Sequence, residues 1–146
     1  MIRIVLSAIC TLVALPAWAE FVRVEATGTV AEAADRLEAA VTGAGAKVFA
    51  RVDHGAGAAS VDMELADAQL LVFGNPKLGT PALQADLRAG LVLPLRVLVF
   101  DDGGQTVLLY EAPADMFADY DVPADAEVVK MMAGALGKLT AAAAGN

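Results

Sequence analysis

Apolar and polar positions alternate from Phe21 to Thr27, with Phe21, Arg23 and Glu25 on one side and Val22, Val24 and Ala26 on the other. A period of two predicts a strand with one buried face. The period then changes. Val30, Ala33, Ala34, Leu37, Ala40, Val41 and Ala44 recur at helical spacing, while Glu32, Asp35, Arg36 and Glu38 fall off that stripe. Thr29 and Glu32 have the spacing of a capping box, in which hydroxyl and carboxylate satisfy amides that a first helical turn leaves unpaired. Gly43 and Gly45 can end the helix, because a left-handed terminal residue costs glycine little.

Alternation returns in Lys47–Asp53, KVFARVD, and predicts a second strand. HGAGAAS, from His54, reads as a loop or a weak helical turn, and VDMELAD favours no element. Gln69–Phe73 predicts a third strand. Leu93–Phe100 and Thr106–Tyr110 flank Asp101-Asp102-Gly103-Gly104, a hairpin spacing whose residues tolerate positive dihedrals. Val128, Met132, Ala135, Leu136 and Leu139 then form a helical stripe between Pro123 and Gly145. Gly134 and Gly137 weaken that helix by about 1 kcal/mol each relative to alanine, so packing must hold it.

Strand, helix, four strands, helix predicts an α+β fold, a single antiparallel sheet with both helices packed on one face. The other face then needs an explanation. LLVF and LRVLVF are apolar on both sides, which calls for a cover. A second copy of the chain is the expected cover, giving a homodimer, since five Phe and two Tyr are few for a lipidic pocket.

The leader MIRIVLSAICTLVALPAWAE carries one positive charge, an apolar run from Ile4 to Leu15 and the triplet Ala17-Trp18-Ala19. It predicts a signal peptide over residues 1–19, cleaved after Ala19, and an exported, periplasmic single domain over residues 20–146. The apolar run is short of the roughly 20 residues that span a bilayer, so no membrane span is expected in the mature chain. A lipoprotein signal fits poorly, because Ile9 stands before Cys10 where a small residue is needed.

Cleavage removes the sole cysteine, and with it any disulfide, thiolate metal site or cysteine nucleophile. The formal charge is −8 for the whole chain, which argues against nucleic acid and anionic membrane surfaces as partners. One histidine without cysteine excludes the common structural zinc sets and covalent haem attachment, and no cofactor or metal is indicated. Copper could use His54 with Met63 or Met116, while Met131 and Met132 read as core packing of the last helix; Asp53, Asp101 and Asp102 lack the spacing of a calcium loop, and hairpin turn chemistry explains Asp101-Asp102-Gly103 without an ion.

FARVDHGAGA, LLVFGNPKLGTPALQ, LPLRVLVFDD and LLYEAP follow one another along the mature chain. In these the sequence resembles the DUF302 family. The resemblance implies a TATA-binding-protein-like fold, strand, helix, four strands, helix, and a tendency to dimerise, but no established activity and no DNA binding. Relatives often read SYNDP where this chain has Leu109-Tyr110-Glu111-Ala112-Pro113. A role tied to that asparagine and aspartate therefore does not transfer.

The loop FGNPKLGTP offers the main candidate chemistry. Asn75-Pro76 forms a turn, and Thr80-Pro81 reads as an N-cap followed by proline at the first helical position, opening a short helix that stops by Gly90. Helix amides beside Lys77 could cradle a small anionic or polar ligand, with Asn75, Gly79, Thr80 and His54 in the same site. The bland alternative is a turn and a cap with Lys77 solvated. His54, beside Asp53, could instead serve as the general base of a hydrolase or isomerase, with amides after Gly79 as an oxyanion site. Ser60 lies outside any nucleophile elbow. Three readings stay open, with the first preferred: a dimeric binding or accessory module, an enzyme, and a purely structural interaction domain.

Overall fold

The structure, a computed structural model, describes residues 20–145; the leader expected over residues 1–19 lies outside the described residues. Five strands form one antiparallel sheet in the order β1-β5-β4-β3-β2. They are β1 (Phe21–Ala26), β2 (Lys47–Asp53), β3 (Ala68–Gly74), β4 (Leu95–Asp102) and β5 (Gln105–Glu111). Helices α1 (Val30–Gly43) and α5 (Glu127–Ala144) cover one face, and three short helices are inserted: α2 (His54–Ala59), α3 (Pro76–Ala85) and α4 (Pro113–Met116).

The capping box is present. Thr29 N donates to Glu32 Oε2 at 2.8 Å, and Glu32 N donates to Thr29 Oγ1 at 3.2 Å. The Thr29 backbone amide holds the Glu32 carboxyl below its ordinary value. The hairpin between β4 and β5 turns on two residues, since Asp102 pairs with Gln105 across Gly103 and Gly104. Both glycines have positive φ, 66° and 96°, which the tight turn demands.

Alternation along the strands sorts the sheet into two faces. Leu71, Phe73, Leu95, Val97, Val99, Leu108 and Tyr110 point to the helices. There they meet Ala33, Leu37 and Val41 of α1 and Val129, Met132, Leu136 and Leu139 of α5. Val129, rather than Val128, completes the buried stripe of α5, because it lies three residues before Met132 on the same face.

The first and last thirds of the chain are tied together. β1 pairs along its length with β5, from Phe21 opposite Glu111 to Ala26 opposite Thr106. At the end of α5, Ala144 O accepts from Thr27 N at 2.9 Å and Ala143 O accepts from Arg36 Nε at 2.8 Å. Arg36 Nη2 also donates to Thr27 O at 2.6 Å. One arginine thus closes the carbonyl end of the last helix against the loop that starts the first.

Candidate functional site

The predicted start of the loop helix moves. Helix α3 begins at Pro76, not after Thr80, because Asn75 is its N-cap: Lys77 N donates to Asn75 Oδ1 at 3.0 Å and proline occupies the first helical position. Pro81 lies inside the helix. The helix ends at Ala85, and a 3-10 turn, Leu87–Leu91, follows with Asp86 as its own cap. The strand after it starts at Leu95, two residues later than the apolar run suggests, beyond the Leu93-Pro94 bond.

This shift changes the chemistry expected of the loop. Leu78 N and Gly79 N both donate to Asn75 O at 2.9 Å, and Pro76 has no amide proton. The first-turn donors are therefore engaged with Asn75, not aimed outward as an anion cradle would require. Lys77 is exposed beside them. Asn75, Gly79 and Thr80 do share a depression, of about 230 Å³, with Phe49, Gly74, Pro76, Leu78, Leu83, Leu93 and Pro94. Its walls are overwhelmingly apolar. Asn75 and Leu78 also reach a second, larger cleft on the helix side of the sheet.

His54 is not part of this cluster. It stands at the end of β2, where Asp53 pairs with Gln69, whereas the loop leaves β3 at Gly74, opposite Lys47 at the start of β2. At about 3.3 Å per residue the two ends of the strand are roughly 20 Å apart. HGAGAA is a helix, α2, and Asp53 is its cap: Ala56 N donates to Asp53 Oδ1 at 2.8 Å, and Gln69 Nε2 donates to Asp53 Oδ2 at 3.3 Å. Asp53 thus serves the backbone and not the imidazole. Ser60 Oγ donates to Gly57 O at 2.6 Å, an end-of-helix contact that gives it no base.

The carboxylates considered for calcium are also accounted for locally. Asp101 Oδ1 accepts from Gly104 N at 2.7 Å within the hairpin, and Asp102 pairs with Arg23 at 2.7 Å. Among the described residues no three His, Cys, Asp or Glu side chains cluster as a metal site.

Sequence reasoning missed the geometry of the open sheet face. Leu70, Leu98 and Leu109 lie side by side through the pairings of β3, β4 and β5, with Val52 beyond Leu70 and Arg23 beyond Leu109. Val72 and Phe100 flank that row on the same face. Val52 is 41% exposed, and Leu70, Leu98, Leu109, Val72 and Phe100 are half-buried. The Arg23–Asp102 ion pair crosses β5 diagonally, and Val107, between their partners Leu109 and Gln105, is fully buried. The apolar strand runs signalled this face; only the register could line its leucines up.

The family described as Domain of unknown function DUF302 matches residues 22–139, from β1 into α5. The chain belongs to the DUF302 family. Its fold is similar to that of an uncharacterized conserved DUF302 protein from Bacillus stearothermophilus, with a TM-score of 0.77 over 84% of this chain and 97% of that one, at 18% identity. Among curated proteins, this DUF302 chain is 38% identical over 127 residues to "Fluoride-specific ion channel FluC 1" of Brucella suis, covering 86% of this chain and 50% of that protein. "Fluoride-specific ion channel FluC 2" of Brucella melitensis matches at the same identity, with 47% of its length covered. The chain spans about half the length of these relatives. Among its described residues no helix is long and apolar enough to cross a membrane.

Proposed function

We propose that this protein is an exported, non-enzymatic accessory module that assembles as a homodimer through the open face of its sheet. The observation that supports this reading is the apolar row of half-buried Leu70, Leu98 and Leu109 on the face opposite α1 and α5, with Val52 41% exposed at one end and Phe21 60% exposed at its margin. Such a face is costly in water and gains roughly 25 cal/mol for each Å² it buries. A two-fold axis through it would set leucine against leucine, and Arg96 and Glu111, on neighbouring strands at one margin, supply opposite charges for the rim. Against an enzymatic reading stands the placement of His54, about 20 Å from the loop by strand length and without a nucleophile or carboxylate partner. The test is sedimentation velocity on the purified protein and on Leu98→Glu. The wild type is expected as a dimer and the variant as a folded monomer; a wild type that stays monomeric at high concentration removes the reading.

A second reading concerns the partner. The matched segment makes up about half of relatives whose printed name is that of a fluoride channel, and at 127 of 146 residues it must overlap most of the DUF302 span. We infer that the module works beside an ion channel that handles fluoride. The small anionic or polar ligand expected at the FGNPKLGTP loop belongs to neither reading, since the loop's first-turn amides already have acceptors.

A further inference from the structure

We propose that the cleft between α3 and α5 binds a small monocarboxylate with an apolar body. The cleft lies on the helix side of the sheet, has a volume of about 450 Å³, and falls within the range of small-molecule sites. Its floor is Phe73, Leu95 and Leu139, three core side chains that here reach a surface opening. Leu78 of α3 and Met131 of α5 form the walls, and Met131 is 48% exposed, large for an apolar side chain that has no cover.

Charge decides the class of ligand. The lining contains one ionisable group, Lys138, and no carboxylate, in a chain whose formal charge is −8. Lys138 makes no ion pair among the described residues, and its aliphatic stem can extend the apolar wall while the ammonium meets solvent. Asn75 lines the same cleft; its Oδ1 is taken by the cap of α3, while its Nδ2 donates only to Gly45 O, at 3.5 Å, the outer limit of a hydrogen bond. A cation and a weakly engaged N–H donor, Asn75 Nδ2, beside an apolar trough match a molecule with a hydrocarbon body and one anionic end. The conspicuous loop thereby has a role other than the cradle of amides: it supplies Asn75 and Leu78 to the rim. This site and the open sheet face are on opposite sides of the molecule, so either can fail alone.

The experiment is calorimetric titration of the purified protein with octanoate and, separately, with octanol. Octanoate is expected to bind at one site per chain and octanol more weakly. Lys138→Met keeps the stem and removes the charge, and should weaken octanoate about fivefold while leaving octanol unchanged, as expected for a partly exposed ion pair. Gly134→Leu fills the cleft from α5, where an added Cβ meets nothing within 4 Å, and should abolish both without harming the helix. Circular dichroism checks that both variants are folded. Absence of saturable octanoate binding overturns the proposal. Equal affinity for octanol, or binding that survives Gly134→Leu, overturns it as well, the first on ligand class and the second on location.

Discussion

Asp86 has a side chain only 5% exposed and accepts from Arg88 Nε at 3.0 Å, Arg88 Nη2 at 2.7 Å, Arg88 N at 2.9 Å and Asp121 N at 3.1 Å. The Arg88 guanidinium and these amides pull its carboxyl from 3.8 to about 2. The sign follows from linkage: a carboxyl depressed in the folded state contributes stability that is complete above its unfolded value and disappears as pH falls through its folded one. The contribution is therefore present above about pH 4 and lost toward pH 2. Urea unfolding followed between pH 5 and 2 should show a steep acid limb in the wild type and a flatter one in Asp86→Asn. Parallel limbs would mean that another carboxylate dominates. The signal for this brace was the short Asp-x-Arg spacing after a helix end, which is too common to single out without the Asp121 amide beside it.

At the scale of elements, the cap of α3 separates two sequence readings that look alike on paper. Asn75→Ala should cost about 1 kcal/mol, the usual loss for a cap, whereas Thr80→Ala, inside the helix, should change stability by less than about 0.5 kcal/mol. Thermal unfolding of the two variants checks this, and the reverse order would restore a helix start at Thr80. The strands were legible from their period of two: Lys47–Asp53 has the bounds its alternation predicts although none of its residues is buried, and the two-glycine turn fixed the β4–β5 hairpin. Capping was misplaced because the sequence reads Asn75-Pro76 as a turn and Thr80-Pro81, five residues on, as the cap. Proline suits the first turn in both, and only the carbonyl of Asn75, which takes two amide protons, decides between them. The same limit applies to α2, whose glycines and alanines carry no stripe, so its helix rests on the Asp53 cap rather than on any pattern.

For the molecule as a whole, the candidate site was less legible than the fold. His54 and the FGNPKLGTP loop were joined because both are conspicuous, but sequence distance says nothing about which end of a strand a residue occupies. An antiparallel β2–β3 pair sends them to opposite ends. The sheet's second face was visible only as apolar runs, and the cover proposed for it is a second copy of the chain. The channel reading makes its prediction at this scale. A host lacking this protein should tolerate less external fluoride, tolerance should return with the wild-type gene, and Leu98→Glu should not restore it if the open face is the working surface. Growth across a fluoride series measures this, and unchanged tolerance on deletion removes the reading.

The pairing of β1 with β5, and the closure of α5 by Arg36 and Thr27, also set a timetable. A polypeptide leaves the ribosome from its amino end, so β1 waits for residues 105–111 before it has a neighbour, and Arg36 waits for residue 143 before its guanidinium reaches that carbonyl. Contacts so distant in sequence delay the search for the native state. The β1 edge of the sheet and the end of α5 therefore close only when nearly all of the chain has been made. Under the proposal that the chain is exported, this delay is an advantage: a topology closed by its last helix would keep the chain slack during transit and lock the sheet afterwards.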